Sequence, residues 1–311
     1  MRVSAAAPGG HRVAVTGASG LIGTALTAAL TARGSEVLRI TRARSDAMAG
    51  TIHWDPARGA FDPAALADVD VVVHLAGESV DARWTPEHKA AIRQSRVGGT
   101  ALLARTIAAL RPAPRVLIAG SAVGIYGNRG DEVLDEESER GSGFLADVGA
   151  EWESAASPAR DAGIRTVYTR LGVVISRSGG ALARMLPPFE LGAGGKLGPG
   201  TQWMSWIAID DVVSAMLFAI DSGTLAGPVN LTAPNPVTNA DFAKALGHAL
   251  HRPAVATIPP FALRLLFGEL ADAALLASQR VLPHVLERAG FVFHYPTLDV
   301  ALRHELEKPK S

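Results

Sequence analysis

Residues 13–26 read VAVTGASGLIGTAL, and three glycines, Gly17, Gly20 and Gly23, stand between an apolar β-branched run and a segment of helical periodicity. The run HRVAVTG (11–17) predicts a short strand, and LIGTALTAALTARG (21–34) predicts a helix closed by Gly34. In a strand, tight turn and helix, each glycine has its own duty. Gly17 permits the sharp turn, Gly20 lets backbone approach a pyrophosphate, and Gly23 allows the helix to pack closely on the strand. Together with Ala18, Ser19, Leu21 and Ile22 they form a turn expected to hold a dinucleotide. A purely structural tight turn is the competing reading.

Working outward, EVLRIT (36–41) makes a second strand and DVDVVVHLAG (68–77) a third, whose β-branched run suits a buried parallel position. The stretch from Trp84 opens with Thr85 as N-cap and Pro86 at the first helical position, and reads as one long helix to about Leu110. RVLIAGS (115–121) is another strand and FLADVGAEWE (144–153) a helix. IRTVYTRLGVVI (164–175) reads as a further buried strand, and IDDVVSAMLFAID (209–221) as a helix whose leading acids suit its dipole. The alternation predicts an α/β chain built on a Rossmann-type doubly wound parallel sheet. From residue 234 the pattern changes: two helical segments follow, with FVFHYP (291–296) as a short extended piece. The division expected is 1–175 and 207–233 for a nucleotide-binding domain. Residues 176–206 and 234–311 then form a smaller, mostly helical lobe over the sheet's carboxyl edge.

Composition narrows the function. The 311 residues are 48% apolar, enough for a sizeable core, and 30 basic residues balance 30 acidic ones. That balance lacks the electrostatic footprint of a nucleic-acid binder, so a small molecule is the expected partner. The absence of cysteine excludes disulfides, thiolate metal sites and a cysteine nucleophile. No apolar run approaches the roughly 20 residues of a membrane span, and MRVSAAAPGGHR lacks the apolar stretch of a secretory signal. A cytoplasmic monomer or homodimer is expected. His248 and His251 lie three apart without further ligands nearby, so no metal site is expected.

Several segments carry a specific resemblance: HLAGESV (74–80), RWTPEHKAAIRQSRVGGT (83–100), GSAVGIYGNRGDE (120–132), FLADVGAEWE (144–153) and QWMSWIAIDDVV (202–213). With the glycine spacing, they make the chain similar to the extended short-chain dehydrogenase/reductases. The closest likeness is to an atypical branch called epimerase-family proteins, which end in a helical domain that RVLPHVLERAGFVFHYPTL (280–298) resembles. The resemblance implies that His74, Leu75, Ala76 and Gly77 pass backbone against the cofactor, with Glu78 next to them. Lys89, Ser95 and Arg96 reach phosphates or substrate, or else form a charged helix face; Arg96 stands where ordinary relatives carry a structural Asn. Lys196, Gln202, Trp203 and Ser205, with Trp206, fall in the stretch that faces substrate in the superfamily.

Cofactor choice is read at the end of the second strand. An acidic residue there would take the ribose 2′-hydroxyl, but the strand ends RITRAR (39–44), which puts Arg42 where a 2′-phosphate would sit and Thr41 within reach of it. NADP(H) is expected over NAD(H), against a solvated surface arginine; Arg44 is read as only that.

Ordinary relatives move a hydride with a Tyr, a Lys four residues later and a Ser on the preceding strand. Aligning the Glu that follows their Lys with Glu153 puts Leu145 and Gly149 at the Tyr and Lys positions, and neither transfers a proton. In SAVGIYG (121–127) the catalytic Ser position is Ala122, which leaves Ser121 and Tyr126 as the nearest hydroxyls and the catalytic candidates. Two functions stay open. One is an NADP-dependent oxidoreductase or epimerase of unknown substrate, using Tyr126, Glu78 or water as its acid. The other is a non-catalytic NADP(H)-binding or regulatory protein.

Overall fold

The computed structural model describes residues 10–42 and 50–307; Arg44 and residues 1–9 of the N-terminal stretch lie outside the described residues. In chain order the first elements are β1 (Arg12–Thr16), α1 (Leu21–Ala32), β2 (Glu36–Thr41), β3 (Thr51–Asp55), β4 (Ala60–Phe61) and β5 (Val71–His74). Then come α2 (Pro86–Arg93), α3 (Gly99–Ala109), β6 (Val116–Ala122), β7 (Val133–Leu134), α4 (Phe144–Ser154), α5 (Ser157–Asp161) and β8 (Arg165–Leu171). The remainder is β9 (Val173–Ile175), α6 (Gly180–Glu190), β10 (Gly195–Leu197), β11 (Trp203–Met204), β12 (Trp206–Ala208), α7 (Ile209–Asp221) and β13 (Gly227–Leu231). After it follow β14 (Val237–Thr238), α8 (Asn239–Ala249), β15 (Ala256–Ile258), α9 (Pro260–Phe267), β16 (Arg280–Val281), α10 (His284–Arg288) and α11 (Leu298–Glu307).

The main sheet has the order β13-β8-β6-β5-β1-β2-β3-β4. All its pairings are parallel except the short β3–β4 ladder at one edge. Strand alternation sorts the side chains. Val13, Val15, Val71 and Val73 face α1 and α7, where they meet Leu26, Leu30, Val212 and Met216. Ala14, Val72 and Leu117 face the other way, against Leu103 and Ile107 of α3 and Ala159 of α5. Both faces are therefore buried, which is why these strands are near-continuous apolar runs. This is the Rossmann-type α/β fold, and its chain order reverses beside β1, where the glycine turn lies.

The second lobe has its own core, in which Leu182, Leu186 and Phe189 of α6 pack with Phe242 and Leu246 of α8 and Leu302 of α11. It also holds two-stranded ladders, β10 with β15 and β11 with β14, that the helical reading of the tail did not include. Asp211 ties it to the sheet. Its buried carboxylate accepts the amides of His294 and Tyr295 at 2.9 Å each, while Asp210 pairs with His304 at 2.7 Å. Ala208 is the N-cap of α7, so the two aspartates occupy its first turn and do not cap it.

Several segments depart from the sequence reading. IRTVYTRLGVVI is two strands, because a side chain at Gly172 would lie 2.5 Å from Ser205 O and the chain there leaves the main sheet for β12. Residues 291–296 form no strand; their backbone is held by Asp211 instead. The long helix does reach Ala109, but it widens at Gln94–Gly98 into a turn of π-helix. β13 was missed because Pro228 argues against a strand; it is tolerated here at the sheet's edge.

Candidate functional site: a dinucleotide cleft at the sheet's carboxyl edge

The glycine turn follows directly from its contacts. Gly17 has φ +69°, and a side chain on it would lie 2.8 Å from the carbonyl of Leu75. At Gly23 a Cβ would stand 2.1 Å from Gly17 O. At Gly20 the one atom within 4 Å of a Cβ would be Gly17 O at 3.3 Å, a single tight contact where Gly17 and Gly23 each meet three. Gly20 is the N-cap of α1 and no side chain caps the helix. The first intrahelical bond is Thr24 N to Gly20 O at 2.8 Å, which leaves the amides of Leu21, Ile22 and Gly23 ahead of it without helical acceptors. Such a terminus attracts an anion.

In front of it is a cleft of about 570 Å³. Gly17, Ala18, Ser19 and Gly20 line one side, and Leu75, Ala76, Gly77, Glu78 and Ser95 another. Thr41 and Arg42 stand at the end of β2, where Arg42 is exposed to the cleft. Arg39, Ile40, Thr51, Trp54 and Pro56 complete the lining; none of them is singled out as a site residue by the sequence, where Thr51 and Trp54 show only the apolar–polar alternation of TIHWD.

Thr16 is a further residue that the sequence reading passed over. Its Oγ1 accepts the amides of Leu75 and Ala76, at 3.1 Å each, and lies 2.7 Å from His74 Nδ1. The hydroxyl proton therefore goes to Nδ1, and the ring proton sits on Nε2. His74 is fully buried, edge-on to Trp54, with Nε2 unpartnered, and burial pulls its pKa down to about 4. It stays neutral and its ring serves the core, while the backbone after it borders the cleft.

Other expected cofactor residues are placed differently. The side chain of Leu21 reaches toward Gly179 and Gly180, where a Cβ at Gly179 would meet its Cδ1 at 3.3 Å. Lys89 lies outside this cleft, ion-paired to Glu269 at 2.9 Å and over the Phe144 ring. Arg96 folds back onto Glu78 O at 2.8 Å and stacks on Trp152.

The end where acid–base groups were sought is filled. Ser121 donates to Glu153 at 2.7 Å, and Arg170 forms a two-pronged pair with Glu153 at 2.8 and 2.9 Å. Arg170 also donates to Tyr126 OH at 2.9 Å, and Tyr126 donates to Asn230 at 2.8 Å. Tyr126 is fully buried and Ser121 nearly so. Burial pushes the Tyr126 phenol up to about 12, against the opposing Arg170 charge. Burial also opposes the Arg170 charge, but the bonds and charge of Glu153 outweigh it and hold its pKa above the ordinary range. Neither hydroxyl proposed for catalysis is exposed, and both are engaged inside the fold. Gly149 is closed off too, since a Cβ there would lie 3.1 Å from Ile125 Cβ.

The side chains expected to face substrate bond mostly within the second lobe, and that of Trp203 alone among them reaches across to the sheet domain. Ser205 donates to Gln279 O and accepts from Val281 N, at 2.8 and 2.7 Å. Gln202 donates to Leu197 O and Leu275 O, Trp203 to Asp131, and Lys196 to Pro199 O. A group of three potential ligands, Asp210, His304 and Glu305, comes within 4.8 Å mutually, but Asp210 and His304 bond each other and Glu305 takes the Arg177 amide. Among the described residues no helix is long and apolar enough to cross a membrane.

Known proteins match this arrangement along nearly the whole chain. An epimerase family protein of Mycobacterium bovis is 49% identical over 298 residues, 96% of this chain and 98% of that protein. The crystal structure of human epimerase family protein SDR39U1 (isoform 2) with NADPH superposes with a TM-score of 0.88 at 35% identity, covering 96% of this chain and all of that one. A nucleoside-diphosphate sugar epimerase from Corynebacterium glutamicum has a TM-score of 0.79 at 41% identity, over 96% of this chain and 58% of that one. Residues 258–305 match a domain of unknown function, DUF1731. Residues 13–231, which contain the glycine turn, the cleft and the filled end beside it, match the NAD dependent epimerase/dehydratase family, and the chain belongs to that family of NAD(P)-binding folds.

Proposed function

We propose that this chain binds NADP(H) in the cleft between the glycine turn and the loop after β5. The observation that carries the reading is the placement of an exposed arginine, Arg42, at the end of β2 in the same cleft as the uncapped start of α1, with no acidic residue at that strand end among the described residues. The helix start suits a pyrophosphate, and the guanidinium suits a 2′-phosphate that NAD(H) lacks. The NADPH bound by the human relative agrees with this choice. The test is calorimetric titration with NADPH and NADH. The wild-type protein should prefer NADPH, and Arg42→Ala should weaken NADPH by roughly 10- to 150-fold, the worth of about 1.5–3 kcal/mol for a charge-assisted contact, with little change for NADH. Equal loss for both would remove Arg42 from the reading.

When bound, the nicotinamide supplies hydride chemistry. The chain's own residues hold the dinucleotide and shape its surroundings, and among the described residues Glu78 is the carboxyl group lining the cleft. Because Leu145 and Gly149 transfer no proton and Ser121 and Tyr126 are engaged in the core, we infer a protein that holds NADP(H) and turns over nucleotide sugars slowly at most. The second reading, a reductase or epimerase drawing its proton from Glu78 or water, rests on Glu78 lying at that wall. Incubation with NADPH or NADP and a panel of nucleotide sugars, aldehydes and quinones separates the two. Rapid turnover abolished by Glu78→Gln would establish the second.

A further inference from the structure

The helix that starts at Pro86 widens at Gln94–Gly98, and π turns of this kind recur at functional sites. The turn directs two successive side chains onto one residue of the cleft wall. Ser95 Oγ accepts the Glu78 amide at 2.9 Å, and Arg96 Nη1 donates to the Glu78 carbonyl at 2.8 Å. Leu75 and Ala76 give their amides to Thr16. Of the amides of residues 75–78, that of Gly77 is left without an acceptor among the described residues, and Gly77 borders the cleft.

Arg96 packs against Gly77. Its guanidinium is 5.0 Å from the Trp152 ring, and its Cζ is 3.2 Å from where a Gly77 Cβ would stand. A Cβ at position 77 would crowd the guanidinium and push it back by a few tenths of an ångström. Among the described residues no carboxylate is within ion-pair distance of Arg96; burial lowers its pKa, with the Glu78 charge opposing. A desolvated cation without a paired carboxylate favours the arrival of an anion.

We propose that Ser95 and Arg96 are positioning residues for the bound dinucleotide: they fix Glu78 so that the Gly77 amide faces the pyrophosphate and its nicotinamide-side ribose, with the Arg96 charge close by. This rests on the NADP(H) reading of the cleft. The sheet places Gly77 away from the 2′-phosphate end, because β5 and β2 flank β1 and so stand roughly 10 Å apart. The two ends of the ligand thus report on different residues.

The experiment is calorimetric titration of the full chain with NADPH and with adenosine 2′,5′-bisphosphate, which lacks the pyrophosphate and nicotinamide. Melting temperature serves as the control for folding. Arg96→Met and Gly77→Ala should each weaken NADPH by about tenfold or more. Both should leave adenosine 2′,5′-bisphosphate within about twofold, as expected for a distant site. Arg96→Lys, which keeps a charge and a donor, should recover part of the loss. If Arg96→Met does not fold, Ser95→Ala carries the test, with the same split between ligands expected. A folded variant that binds NADPH as the wild type does, or loses both ligands equally, overturns the positioning role. A wild-type protein that binds neither ligand overturns the NADP(H) reading itself.

Discussion

The cleft and the polar cluster beside it rise from the same sheet edge and are built in opposite ways. At β1 and β2 the chain withholds side chains: glycines meet backbone at 2.1 to 3.3 Å and α1 begins with uncapped amides. At β6 and α4 it fills the space with paired polar groups, Ser121, Glu153, Arg170, Tyr126 and Asn230. The first end has room and unmet donors; the second has neither. Holding a nucleotide and carrying an acid–base pair are therefore separable on this fold, as function resides in sites and not in the fold itself.

The contrast breaks hardest within the glycine turn. Gly23→Val would drive a Cβ to 2.1 Å from Gly17 O, and backbone cannot yield that far, so a loss beyond about 4 kcal/mol is expected in urea denaturation. Gly20→Val meets only Gly17 O at 3.3 Å and should fold, yet lose NADPH because its side chain enters the cleft. One motif should thus fail in two ways. A stable, folded Gly23→Val protein would show that the turn is not closed by contact.

At the filled end, Glu153→Ala should cost about 3–5 kcal/mol, since it strands the Arg170 guanidinium in a site where that side chain is 10% exposed. Denaturation at neutral pH checks this, and a cost under about 1 kcal/mol would mean that the network is incidental.

His74 should give the next largest effect. Its folded pKa of about 4 lies below the unfolded value of 6.5, so the unfolded chain binds the proton first. The stability is fully present above pH 6.5 and falls as pH drops toward 4, by about 3 kcal/mol in all. His74→Gln should flatten the stability curve in that window; an unchanged slope would assign the acid sensitivity elsewhere.

The cleft's open end was legible in the sequence because its chemistry is local. Gly17, Gly20 and Gly23 are three residues apart, and the strand and helix on either side show their own periods. The α/β order was readable for the same reason. The filled end was not, because Ser121 and Glu153 are 32 residues apart and Tyr126 and Asn230 are 104 apart. No local pattern predicts that such residues meet. Gly172 was hidden inside an apolar run, where its role depends on Ser205 from another strand. The absence of Tyr and Lys could be read directly from positions 145 and 149, whereas the packing that fills their place could not.

The smallest effect sharpens the comparison most. Tyr126→Phe deletes one hydroxyl that donates to Asn230 at 2.8 Å and accepts from Arg170 at 2.9 Å. Both partners remain buried, so the variant should lose about 1–3 kcal/mol of stability. Asn230 keeps its side-chain amide bond to Leu282 O, and Arg170 keeps both prongs to Glu153, which holds the cost below that of Glu153→Ala. If Tyr126 is part of the core and not of a reaction, NADPH affinity should stay within about twofold of wild type, as expected of a separate site. Any slow turnover should also persist in the folded variant. Calorimetry and a progress curve on the same preparation decide the matter: unchanged stability with abolished turnover would return Tyr126 to the catalytic role, and the filled end would then have to open during reaction.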